Sequence, residues 1–145
     1  MADVHSEDAR SFNMSRIKSK DTKPEIIVRK YLHSQGFRFR LHHVGLPGKP
    51  DIVLPRYQTV VLVHGCFWHA HDDQSCFRIP SSRTEWWQRK LGSNKARDWQ
   101  QQRELSLLGW RVIVVWECEL KKARRATTLN QLTEHILQPG FSHFE

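Results

Sequence analysis

The alternation of apolar and polar positions divides the chain into seven elements. In DTKPEIIVRKYLHSQG, residues 21–36, Ile27/Tyr31 and Val28/Leu32 fall at i,i+4 spacing and give a helix one apolar face. Asp21 and Thr22 are cap-type residues, Pro24 suits the first turn, and Gly36 supplies the stop. FRFRLHH, residues 37–43, alternates with period two and reads as a strand; turn-rich GLPGKP follows. DIVLPRYQTVVLVHG then gives two short strands around a Pro-Arg-Tyr-Gln turn, with Val60–Val63 apolar enough for a central strand. Residues 64–82 carry no period. A polar helix pattern runs from Arg83 to Leu108, with Gly92–Ser93 as the place for a break, and stops at Gly109. WRVIVVWE reads as another buried strand, and a last helix is expected over residues 127–137.

The order α-β-β-β-α-β-α predicts an α/β sandwich, a mixed central sheet flanked by helices. Strand 110–116 follows a helix, so it is expected parallel to a neighbour in the sheet centre. Residues 1–20 lack periodicity and read as an N-terminal arm with a docked segment around Met14–Ile17, while 21–145 form a single domain.

Charge changes the picture. The chain carries 23 Lys+Arg against 15 Asp+Glu, a net +8. The stretch from Arg10 to Lys49 holds ten basic residues and two acids, Asp21 and Glu25, which accounts for the whole excess. Localised positive charge fits a nucleic-acid partner, because phosphate contacts release counterions; the bland alternative is a solvated basic surface. MADVHSED holds no apolar signal region, and no run of about 18 apolar residues exists, which predicts a cytoplasmic protein without a membrane partner.

Three cysteines do not make a disulfide framework, and they point to thiolates used for metal. The segment HGCFWHAHDDQSC packs His64, Cys66, His69, His71 and Cys76 together. Cys66 and Cys118 each lie just past the end of an expected strand; if those strands are parallel neighbours, both thiols meet at one sheet edge. One imidazole would complete a tetrahedral Cys3His zinc site. In an extended segment His69 and His71 share a face opposite His64, so alternation does not choose between them. Three ordinary buried thiols are the alternative. Asp51, after Pro50 at a strand start, sits where a carboxylate can hold Mg²⁺ near a water-activating group on the next strand; alone it would read as a turn residue.

Several runs in order, NMSRIKSKDTKPE, LPGKPD, HGCFWH, RTEWW and GWRVIVVWEC, make the chain resemble the very-short-patch repair (Vsr) endonucleases, which nick DNA at T:G mismatches. The resemblance spans residues 11–118 and implies a restriction-endonuclease-like fold with a structural zinc. It implies Mg²⁺ held by Asp51 and the Val63 backbone carbonyl, with His69 as the base for water and His64 and Glu25 holding water around the metal. It further implies Cys66, His71, Cys76 and Cys118 as zinc ligands, across a His71–Cys76 spacing three residues longer than the family pattern. Phe67, Trp68 and Trp86 would wedge into DNA from one groove and Met14 from the other. Lys90 and Asn94 stand where base-edge contacts could arise. Trp110 and Trp116 are expected in ordinary core packing. The partner implied is mismatched double-stranded DNA, met by a monomer, since a lone mispair lacks two-fold symmetry. Two rivals remain: a same-fold nuclease with relaxed mismatch or other lesion preference, and a non-catalytic zinc-stabilised DNA-binding module.

Overall fold

A computed structural model describes residues 21–139. The expected arm, with Met14, lies outside the described residues. The elements run α1 (Lys23–Ser34), β1 (Arg40–Leu41), β2 (Ile52–Leu54), β3 (Thr59–His64), α2 (Thr84–Leu107), β4 (Arg111–Trp116) and α3 (Lys122–Leu137). Short 3-10 turns fill Pro55–Tyr57 and Glu117–Leu120. The four strands form one mixed sheet in the order β1-β2-β3-β4. The first two pairings are antiparallel and β3–β4 is parallel.

Alternation along the strands sorts the core into two faces. Ile52, Leu54, Val61, Ile113 and Val115 point to the side covered by Val28 and Leu32 of α1 and by Leu129, Leu132 and Ile136 of α3. Val53 and Val60 point the other way, against Leu105 of α2. β3 is apolar on both faces and buried along nearly its whole length, as a central strand must be. α1 begins as its sequence promised: Thr22 Oγ1 accepts from the Glu25 N–H, and Pro24 lies in the first turn.

Four expectations need correction. β1 is two residues long rather than seven, because Phe37 drops into the core and the chain leaves the sheet at His42, whose φ is +47°. β4 lies at the sheet's edge among the described residues, not its centre, and its burial alternates accordingly. α2 runs unbroken through Gly92–Ser93, since Gly92 faces open space and its propensity cost of about 1 kcal/mol is spread over a 24-residue helix. α3 starts at Lys122, ahead of the expected 127, with no side-chain cap at Lys121 to mark the entry.

Leu32 is fully buried at the junction of α1 with the sheet, whereas Leu107 is 77% exposed. Leu32→Ala is expected to lower unfolding free energy by about 2–5 kcal/mol and Leu107→Ala to change it by less than about 0.5 kcal/mol, both read by urea denaturation.

Candidate active site and metal cluster

Asp51 is delivered by a loop that needs its glycine. Gly48 has φ +74°, and a Cβ there would lie 2.7 Å from Gln101 Oε1 on α2. The loop backbone therefore leans directly against α2 just before β2 starts. Asp51 Oδ2 accepts the Val63 N–H at 2.8 Å, so the carboxylate takes over where the β2–β3 ladder stops. Burial pushes the Asp51 carboxyl up to about 6, against the Val63 bond, which lowers it, and with Glu25, which raises it further.

β3 ends at His64, which is paired with Trp116 in the parallel ladder. The chain then coils instead of extending: His69 N–H bonds to Gly65 O, Ala70 N–H to Phe67 O, and His71 N–H to Cys66 O. Ala70 has φ +47°. This turn overturns the expectation that His69 and His71 share a face. His69 folds back to stack on His64, ring centroids 3.8 Å apart and planes within 2°. His71 goes to the cysteines, 3.1 Å from Cys76 Sγ and 3.6 Å from Cys118 Sγ.

His69 Nδ1 lies 2.5 Å from Asp98 Oδ2 on α2. A carboxylate there accepts a hydrogen bond from Nδ1–H, so Nε2 keeps its lone pair and can accept a proton. His64 is 6% exposed, and its buried Nδ1 has no hydrogen-bond partner among the described residues. Burial, then the neighbouring His69, lower the His64 imidazole to about 4, which keeps it neutral at physiological pH. His69 is the member of the stacked pair that faces Asp98.

Cys66, His71, Cys76 and Cys118 offer ligand atoms that all lie within 4.8 Å of one another. Parallel pairing explains the first contact, because Cys66 and Cys118 follow equivalent positions in β3 and β4. The long His71–Cys76 spacing is taken up by a turn built on Asp73. Its Oδ1 accepts the Ser75 N–H and Oγ–H, and its carbonyl accepts from Cys76 N–H and Phe77 N–H. Burial pushes the Cys66 thiol up to about 12 and raises Cys118 as well; a divalent cation among these thiols would reverse that order by binding thiolates. Three sulfurs and one imidazole are a donor set that can hold a metal. Trp116, expected to be core packing, stacks on His71 at 3.8 Å and meets His64 edge-on at 5.2 Å, so one indole touches both clusters.

Glu25, only 2% exposed on α1, lines a cleft of about 1070 Å³ together with Asp51, His64, His69 and Asp98. At its rim Phe67, Trp68 and Trp87 form a half-buried aromatic cluster, and Trp86 stands edge-on against Trp87. Lys90 is exposed. Asn94 faces inward: its amide donates to the Trp68 carbonyl and accepts from Arg97, tying the aromatic loop to α2. Arg97, on the same cleft wall as Asp98, is the further cation this bond orients.

Residues 2–75 match the model of the family described as DNA mismatch endonuclease Vsr. The DNA mismatch endonuclease Vsr of Escherichia coli is 44% identical over 94% of this chain and 86% of its own length. The chain belongs to the Vsr family. Within it, a Neisseria meningitidis protein named type II nicking enzyme V.NmeAIP is 50% identical over 94% of this chain and 97% of its own. Another nicking enzyme, V.XorIIP of Xanthomonas oryzae, is 48% identical over 83% and 88%. The matched stretch stops at residue 75, before Cys76, Asp98 and Cys118, whereas the Escherichia coli and Neisseria meningitidis matches each extend over 94% of the chain.

Sequence reasoning missed Asp98, Trp116 and His42. Asp98 was one more acid in a polar helix, and only the Gly48 contact with that helix would have hinted that its face turns toward Asp51. Gly48→Ala puts a side chain into a left-handed position and against Gln101. It is expected to cost about 1–2 kcal/mol by urea unfolding, with part regained in Gly48→Ala/Gln101→Ala.

Proposed function

We propose that this Vsr-family protein is a Mg²⁺-dependent mismatch endonuclease that hydrolyses one phosphodiester beside a T:G mispair. The products would be a 3′-hydroxyl and a 5′-phosphate. The observation that carries the reading is a cleft joining a half-buried carboxylate, Asp51, to a carboxylate-held imidazole, His69. DNA binding alone needs neither, which disfavours a non-catalytic module.

The oxygen donors fit a hard divalent cation. Asp51 keeps one oxygen after bonding Val63, and a strand residue's C=O lies on the same edge as its N–H, so the Val63 carbonyl faces the same space. Mg²⁺, held there by Asp51 and the Val63 carbonyl, would supply positive charge for the developing phosphorane and the leaving 3′ oxygen. His69 Nε2 takes the water proton as the new P–O bond forms and the P–O3′ bond breaks, and Asp98 stabilises the imidazolium. Buried His64 stays neutral and fixes the His69 ring by stacking, and Glu25 orients water from its place on α1. Phe67, Trp68 and Trp86 stack in the opened mismatch, with Met14 of the arm entering from the other groove. Exposed Lys90 is free to reach base edges, and Asn94 acts through the aromatic loop, which it holds by the Trp68 carbonyl. Cys66, His71, Cys76 and Cys118 hold a structural zinc that stiffens this loop. Helices on both sheet faces support a restriction-endonuclease-like sandwich, with arm 1–20 and one domain from 21 onward acting as a cytoplasmic monomer.

The second specificity reading is the same nicking chemistry with a wider mismatch or lesion range. Nicking rates across T:G duplexes and other mispairs separate the two.

On a labelled T:G duplex, His69→Ala is expected to lower the single-turnover rate by about 10²–10⁴-fold and Asp98→Asn by about 10–100-fold. Asp51→Ala should abolish Mg²⁺-dependent nicking while duplex binding survives; undiminished nicking by this variant would overturn the site. Metal analysis should find about one zinc per chain in the wild type, less in Cys118→Ala, with a lowered Tm after chelation.

A further inference from the structure

His42 holds a conformation that histidine rarely adopts. It is not a glycine, yet its φ is +47°, in the left-handed region. The residue directly follows β1, and its own N–H donates to the Asp51 carbonyl at 3.1 Å. The left-handed backbone swings the imidazole away from the sheet's alternation and toward α1. There its Nε2 lies 2.8 Å from Oε2 of Glu25, a carboxylate only 2% exposed. One residue thus links two acidic residues of the cleft, bonding the main-chain carbonyl of Asp51 through its N–H and the Glu25 carboxylate through its ring.

The surroundings define what this contact does. Arg29 Nη1 reaches the same Glu25 oxygen at 2.9 Å and also Asp21 Oδ1 at 2.7 Å. Asp21, Glu25 and His42 are close enough to resemble a metal site, but the guanidinium already lies between the two carboxylates and supplies the cation. Both bonds fall on Oε2. Among the described residues no hydrogen bond reaches Oε1. Backbone strain of this kind persists only where surrounding contacts over-determine it.

We propose that His42 is a positioning residue that ties the Glu25 carboxylate of α1 to the backbone at Asp51 and so fixes its orientation in the cleft. The proposal rests on the nicking chemistry assigned to the cleft above. Its left-handed backbone is the geometry that lets one side chain span from the β1–β2 edge to α1.

The prediction is a split between stability and activity. His42→Gly removes the ring but relaxes the backbone, because glycine is at home at φ +47°. Its urea midpoint should equal or exceed that of the wild type, while the Mg²⁺-dependent nicking rate at saturating T:G duplex falls about 10–100-fold with unchanged duplex affinity. His42→Asn, which tolerates the left-handed region but is too short to reach Glu25, should behave like the glycine variant. His42→Gln, long enough to bond Glu25, should recover most of the rate. Mn²⁺ affinity, measured by calorimetry on the protein–duplex complex, gives a readout independent of turnover. His42→Gly and Glu25→Gln should each weaken it, and the double variant no further than Glu25→Gln alone.

A glycine variant with wild-type rate and Mn²⁺ affinity overturns the proposal. So does a rate that falls only in step with a lowered urea midpoint, or additive losses in the double variant. If the wild type does not nick, or Asp51→Ala still does, the nicking assignment fails instead, and the Mn²⁺ cycle alone decides whether His42 and Glu25 are coupled.

Discussion

The parallel hydrogen-bond ladder between β3 and β4 sets the position of nearly every group in the cleft. Its last pair, His64 with Trp116, ends both strands at the same edge. Cys66 and Cys118 then follow in step, and their thiols meet without either chain having to bend toward the other. A shift of this register by one residue would turn His64 to the opposite face and separate the sulfurs together. The ladder is buried and apolar along β3, so slippage is opposed by the whole core rather than by the polar site.

On this edge the molecule sorts its histidines by environment rather than by sequence spacing. His64 is desolvated and neutral, His69 is held by Asp98, and His71 is drawn among sulfurs. Trp116 lies between them, flat on His71 and edge-on to His64. The indole thus carries the rigidity of the sulfur cluster into the imidazole stack. On the opposite side, the LPGKP loop is pressed against α2 by a glycine that leaves no room for a Cβ. Asp51 and Asp98, 47 positions apart in the sequence, come to face one cleft through that approach.

Much of this was legible in advance, for physical reasons. α1 announced itself through Thr22, Pro24 and its i,i+4 apolar pairs, and β3 through its unbroken apolar run. The meeting of Cys66 with Cys118 followed from a guessed parallel pairing. The choice between His69 and His71 did not follow from spacing, because residues 66–70 coil into hydrogen-bonded turns, with Ala70 left-handed, instead of extending. Asp98 could not be found from local pattern, since its importance comes from a helix face brought near by tertiary packing. The extent of β1 was misjudged for a related reason: its alternation continues to His43, but His42 turns the backbone out of the sheet.

Ala70 leaves one residue between an imidazole that faces the cleft and one that faces the sulfurs. The chain's tolerance of insertions and deletions is therefore sharply one-sided here. Residues 72–75 form a surface turn closed by Asp73, which absorbs changes of length and still returns Cys76 to His71. On the other side of His71 there is no such slack. A residue added or removed between His64 and His71 would rotate one imidazole out of place whichever way the loop relaxed. Divergence in loop length among chains built on this plan is expected after His71 and forbidden before it.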